Sequence, residues 1–217
     1  MIEKTEGFVL RSSLLGEGDK LVECLTRDHG LLRGVARGAR KLKSRFSGSL
    51  EMFSEVDIFF FRKEQRELVT FCNIDLRQSY FDFISKPENF TVFSYLANLI
   101  LELVPEFEPD ERFYRLVKAC LEAAQNDSDL QCITFYFEFW ILKLSGFIPS
   151  FENFNALTKR PCFGEETKEI FLKAQRLSPS EFATTVKGSS LAREISKGRE
   201  VLRNLIVNVL EKDFFDE

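Results

Sequence analysis

The sequence predicts an α+β protein, with a five-stranded barrel in residues 1–80 followed by an all-helical domain in residues 81–217. Three observations predict it. Apolar and polar side chains alternate at period two up to about residue 76, and apolar ones recur at helical spacing from residue 90 onward. Two glycine-centred turn signals, Gly16-Glu17-Gly18-Asp19 and Asp28-His29-Gly30, cut the first part into short segments. Hydrophobic residues make up 44% and charged residues 29%, which is enough apolar surface to bury a core.

Residues 7–15 read as the first strand and 20–27 as the second, with Leu21, Val22, Cys24 and Leu25 as its apolar positions. Gly30 supplies the positive φ that a tight turn requires. The third strand sets Leu31, Arg33, Val35 and Arg37 on one side and Leu32, Gly34, Ala36 and Gly38 on the other. Gly34 and Gly38 leave room for a second backbone. A short helix is expected over 46–52. Strands are expected over 53–62 and 67–76, separated by the polar turn Lys63-Glu64-Gln65-Arg66. Five short strands with a helix between the third and fourth have the order of an OB-fold barrel.

Helices follow over 90–104, 111–125 and 130–145. The first carries Val92, Phe93, Leu96, Leu99, Ile100 and Leu103 on one face and stops at Pro105. The third is apolar almost all round, which predicts a central position, and Gly146 followed by Pro149 ends it. Residues 150–177 carry no legible period. Ser178-Pro179-Ser180-Glu181 has the form of a capping box, and a last helix is expected over 190–212. The 24 phenylalanines bring apolar area without a polar handle, so most of them belong in the core.

Charge is distributed unevenly. Residues 1–80 hold 14 Lys/Arg against 12 Asp/Glu, whereas residues 81–217 hold 16 against 22. Six of the thirteen residues from 33 to 45 are basic and none is acidic: Arg33, Arg37, Arg40, Lys41, Lys43 and Arg45. Positive charge at this density can displace counterions from a nucleic-acid backbone, with Arg11 and Lys20 extending the track. An edge strand with a charged turn would carry the same residues to block aggregation. Phe46 and Phe53 are the aromatic side chains nearest the track, as stacking platforms or as core.

No enzyme signature is present. The single histidine, His29, lies in a turn, and there is neither a P-loop nor a Gly-x-Ser-x-Gly motif. Asp127/Asp129 and Asp213/Asp216 read as solvated helix ends. The five cysteines, Cys24, Cys72, Cys120, Cys132 and Cys162, show no CxxC spacing and read as reduced core residues. No metal or cofactor is expected. The N-terminus lacks a signal-peptide shape and no apolar run reaches 18 residues, so a cytoplasmic location is expected.

Several segments resemble the RecO family of bacterial recombination mediators: Val9-Leu10-Arg11-Ser12, Gly16-Glu17-Gly18-Asp19-Lys20-Leu21, Thr26-Arg27-Asp28-His29-Gly30-Leu31-Leu32, and the stretch from Ala36 to Arg45. In the helical part, Tyr95-Leu96, Glu102-Leu103, Glu108-Pro109 and the run from Phe137 to Pro149 are similar to that family. The resemblance is specific over residues 7–45, looser to about 150, and faint beyond.

It implies a non-enzymatic DNA-repair role at the nucleoid. Such proteins bind single-stranded and double-stranded DNA and anneal complementary strands. They contact the tail of single-strand-binding protein and, with RecR, help load RecA. An adaptor with little DNA binding of its own is the alternative. An acidic tail ending in an aromatic residue needs an apolar pocket rimmed by cations, and residues 111–125 offer Arg112, Arg115 and Lys118 beside Phe113 and Leu116. Many members carry two CxxC pairs for zinc after the Gly-Phe-x-Pro segment. Here that region has Asn153, Cys162 and Gly164, so the site is expected to be lost, and the degenerate region 150–185 is then either held by packing or mobile.

Overall fold

The computed structural model describes residues 1–63, 67–126, 128–148 and 164–210. They fall into two compact units, Met1–Tyr114 and Arg115–Glu217.

The first unit is built on a closed barrel. Its strands are β1 (Ile2–Leu15), β2 (Asp19–Thr26), β3 (Leu31–Ala36), β4 (Glu55–Phe61) and β5 (Val69–Gln78), in the spatial order β1-β2-β3-β5-β4. Every pairing is antiparallel except β3 with β5. This is the OB-fold arrangement expected from strand order, with β1 starting earlier than the sequence suggests. The early start lets β1 serve two neighbours. Its first half pairs with β4, its second half with β2, and a bulge between Val9 and Arg11 turns the strand between them.

The barrel core follows the period-two alternation. Val22 and Cys24, Leu32 and Ala36, Val56, Ile58 and Phe60, and Val69 and Phe71 all point inward. Gly34 sits where the parallel β3–β5 pair closes, and a Cβ there would meet Val69 Cγ2 at 2.5 Å and Phe71 Cε2 at 2.8 Å. The close approach expected at Gly34 is therefore real. At Gly38 it is not: the nearest atom is 3.6 Å away, and glycine is required there because φ is +73°.

The helix expected over 46–52 does not form. The segment is a chain of three-residue turns, with Ser47 N–H donating to Ser44 O and Ser49 N–H to Phe46 O, and Gly48 at φ +75° interrupts the helical path. Phe46 and Leu50 nonetheless enter the barrel core, so turns do the packing that a helix was expected to do. Phe53 lies before β4 in the left-handed region at φ 57°, held by its N–H to Val9 O at 2.6 Å.

Two helices complete this unit, the single turn α1 (Phe81–Ile84) and α2 (Pro87–Leu103). Pro87 opens α2, and Phe93 packs edge-on against Phe53 with centroids 5.5 Å apart. Beyond Pro105 the chain runs along the start of β3, where Leu31 N–H donates to Pro105 O and Phe107 N–H to Leu31 O. The helix α3 (Glu111–Gln125) begins here. Its Tyr114 lies on Phe8, with centroids 5.0 Å apart, and donates to Glu55 Oε1 at 2.9 Å.

The second unit takes the rest of α3, then α4 (Leu130–Leu144), α5 (Glu165–Arg176), α6 (Pro179–Val186), a 3-10 turn (Ser190–Arg193) and α7 (Glu194–Leu210). α4 is central, as its all-round apolarity predicts: Phe135 stacks on Phe182 and packs on Phe171, while Tyr136 OH donates to Leu177 O. Fully buried Glu138 on α4 is met by Arg199 of α7 through two contacts at 3.0 and 3.2 Å. The capping box at Ser178 and Glu181 forms as read. The last helix starts at Glu194, after a 3-10 turn, rather than at 190.

Candidate nucleic-acid interface

The basic stretch leaves β3 at Ala36 and folds as successive turns, so Arg37 is a loop residue and not a strand residue. The loop is tied down at several points. Gly38 N–H donates to Asp19 Oδ1 at 2.8 Å. Arg40 N–H donates to Gly18 O, and its guanidinium donates to Gly16 O at 3.1 Å and Glu17 O at 2.9 Å. The far end is plugged into the barrel by Phe46, with the Arg45 guanidinium over its ring at 5.0 Å. Arg40 is thus a clasp between the loop and the β1–β2 turn as well as a cation.

The remaining cations of the loop, Arg37, Lys41, Lys43 and Arg45, are exposed. Among the described residues no carboxylate pairs with any of them. Lys20, half-buried on β2 between Leu14 and Ala36, likewise has no acidic partner among the described residues.

The two strand arginines behave differently. Arg11, Glu23 and Arg33 occupy one row across β1, β2 and β3. Glu23 is nearly buried and meets both: Oε2 lies 3.4 Å from Arg11 and Oε1 lies 3.0 Å from Arg33 Nε. The second contact is an ion pair, since the Nε–H is not aligned on the oxygen as a hydrogen bond. Arg33 also reaches Glu106 at 3.2 Å, and Arg11 donates to Asn98 Oδ1 at 2.6 Å. The sequence reading placed Arg11 and Arg33 on the phosphate track. The structure gives their charge to carboxylates that the alternation pattern could not pair with them.

Several other charges on the barrel strands are also matched. Arg77 contacts Glu6 and Asp57, Lys4 contacts Asp57, and Arg27 contacts Glu6 and Glu111. The hydrogen bond from Arg77, reinforced by the charges of Arg77 and Arg27, holds the Glu6 carboxyl below the usual range. The densest run of cations without a carboxylate partner among the described residues is therefore this loop, while Lys20 on β2 and Arg62 and Lys63 after β4 are likewise unpaired there.

The helix expected to hold an acidic tail divides between the two units. Arg112 is chelated by Asp110, with contacts from 2.6 to 3.1 Å, and Phe113 is buried. In the second unit Arg115 is exposed, Leu116 is buried, and Lys118 is half-buried. Phe113 and Leu116, the two apolar members, are thus both buried. Phe46 and Phe53 are core and offer no stacking face. His29 sits in its turn, with its backbone N–H on Thr26 Oγ1 and its ring edge-on to Phe60. Asp129 caps α4 by accepting from Gln131 and Cys132 N–H.

Burial pushes the Cys24 and Cys120 thiols well above their ordinary range and Cys132 to about 12, which makes them poor nucleophiles. No group of three metal-ligating side chains occurs among the described residues. Residues 150–163 with Cys162, and Asp127, Asp213 and Asp216, lie outside the described residues. No helix among the described residues is long and apolar enough to cross a membrane.

A closed barrel with the OB-fold strand order and a basic loop after β3, in a chain that continues as helices, defines an α+β protein of the OB-barrel type. Two family descriptions match in succession: "Recombination protein O N terminal" over residues 1–80 and "Recombination protein O C terminal" over residues 84–160. The chain belongs to the RecO family. Three relatives are each called "DNA repair protein RecO". That of Koribacter versatilis is 31% identical over 149 residues, 69% of this chain and 61% of the relative. That of Syntrophobacter fumaroxidans is 29% identical over 150 residues, 69% and 59%. That of Bifidobacterium animalis subsp. lactis is 34% identical over 146 residues, 66% and 60%. The chain thus spans about three fifths of the length of the curated relatives it matches.

Proposed function

We propose that this chain is a DNA-repair and recombination mediator of the RecO type, acting without catalysis of its own in the cytoplasm at the nucleoid. It binds single-stranded and double-stranded DNA through the loop 37–45, anneals complementary strands, and works with RecR to load RecA on DNA covered by single-strand-binding protein. The observation that carries this reading is the set of four loop cations, Arg37, Lys41, Lys43 and Arg45, that meet no carboxylate among the described residues on a barrel whose other strand charges are largely paired. Arg40 presents the loop and Lys20 lies beside it. Contacts of this kind track the backbone and tolerate any sequence.

For the acidic tail of single-strand-binding protein, Arg115 is the exposed cation that remains on α3. The pairing of Arg11 and Arg33 with Glu23 and Glu106 supports a second reading, an adaptor of the same pathway that binds DNA weakly. Fluorescence anisotropy with labelled single-stranded DNA separates the two. Saturable binding that weakens by about 50-fold between 50 and 200 mM salt is expected if four phosphates are held. Absence of binding at low salt would move the role to the adaptor.

A further inference from the structure

The loop that carries the free cations also carries the most exposed leucine of the described chain. Leu42 is 99% exposed and lies between Lys41 and Lys43. An isolated surface leucine needs no explanation. This one is not isolated. Arg40 clasps its loop to the carbonyls of Gly16 and Glu17, in the turn after β1, and that strand ends in Leu14 and Leu15, 67% and 40% exposed. Leu14 is the cross-strand partner of Lys20. Two tethered loops at one end of the barrel thus carry three exposed leucines and the cations Lys20, Arg37, Lys41 and Lys43, with Leu42 between Lys41 and Lys43 and Leu14 opposite Lys20. The partner that fits is a polymer offering anionic groups and flat apolar faces side by side. Single-stranded nucleic acid does this, whereas a stacked duplex shows this loop its phosphates and hides its base faces.

We propose that Leu42, with Leu14 and Leu15, sets apolar side chains against the faces of unpaired bases while the cations hold the phosphates. The leucines then determine the preference for single-stranded over duplex nucleic acid. This rests on the reading of loop 37–45 as a phosphate track. Leucine is among the apolar side chains that pack against base faces where stacking is partly opened. The interleaving also accounts for keeping apolar side chains in water on a loop that is otherwise basic.

The test compares wild type, L42S, L14S/L42S and K41A/K43A on oligo-dT and on a duplex of equal length. A strand carrying 2-aminopurine reports base unstacking. All four substituted positions are exposed, so the fold should tolerate them. L42S is expected to weaken oligo-dT binding about fivefold, to leave duplex affinity and the salt slope unchanged, and to reduce the 2-aminopurine signal. K41A/K43A is expected to weaken both ligands and flatten the salt slope. Equal loss on both ligands with L42S, or no loss on either, overturns the leucine role while the phosphate track stands. If K41A/K43A changes nothing on a wild type that binds, the phosphate track itself fails. Wild-type binding to phosphatidylserine vesicles that L42S abolishes, without oligo-dT binding, would assign the leucines to a membrane surface and overturn the proposal.

Discussion

Replacing Arg37, Lys41 and Lys43 by alanine tests whether the basic loop is where phosphates are held. Arg40 is left in place because its guanidinium clasps Gly16 and Glu17, so its loss would disturb the β1–β2 turn as well as the charge. In wild type four exposed loop cations besides Arg40, namely Arg37, Lys41, Lys43 and Arg45, meet no carboxylate among the described residues. Each phosphate neutralised on a single strand contributes about −0.7 to the slope of log affinity against log salt. Four contacts give a slope of about −2.8, which is a loss of about 50-fold between 50 and 200 mM salt. With Arg45 alone of those four remaining, the slope falls to about −0.7 and the loss to about threefold. Anisotropy titrations with oligo-dT at three salt concentrations measure both slopes directly. A double variant, R11A/R33A, is the comparison. Those arginines face Glu23 and Glu106, so removing them should flatten the slope by far less than the triple variant does. A triple variant that keeps a slope near −3, or an R11A/R33A variant that loses as much slope, would refute the assignment.

Three further outcomes follow from the packing. Gly34→Ala forces a methyl against Val69 and Phe71, and urea denaturation should show a loss of about 1–3 kcal/mol. Arg199→Met removes the bidentate partner of fully buried Glu138 and should cost about 3 kcal/mol, most of it recovered when Glu138 is also replaced by Met. Glu6 is depressed in the folded state by Arg77 and Arg27, so the stability it contributes is present above the unfolded carboxylate pKa of about 4.3 and is lost as pH falls through the lower folded value. Thermal melts between about pH 3 and 7 should therefore show a shallower acid loss for Glu6→Gln than for wild type.

Much of the architecture is local in origin and was legible in the residues. Alternation sets Val56, Ile58 and Phe60 on one side of β4, which the structure turns to the core, and Pro105 stops α2, because both depend on neighbouring residues alone. α3 was read with its observed bounds. α5 was not found: its buried face, Thr167, Ile170, Phe171 and Ala174, has the helical i, i+3, i+4, i+7 spacing, but Thr167 and Ala174 are too weakly apolar to mark it. The helix expected at 46–52 failed because Gly48 adopts a positive φ, which the presence of glycine allows but does not require. Membership of the RecO family was legible too, from the segments around Gly16, Gly30 and the basic stretch.

By itself, then, the sequence determined which residues are basic, that they cluster between 33 and 45, and that they follow a strand. Only the tertiary structure decided which of those charges are free. Barrel closure sets Glu23 between Arg11 and Arg33, and the chain beyond α2 brings Glu106 to Arg33. It also buries Phe113 and Leu116 while leaving Leu14 and Leu42 in water. The reason is physical. Periodicity is a property of neighbours along the chain, but a charge is neutralised by whatever lies within a few ångströms through space, and that depends on the register of strands distant in sequence.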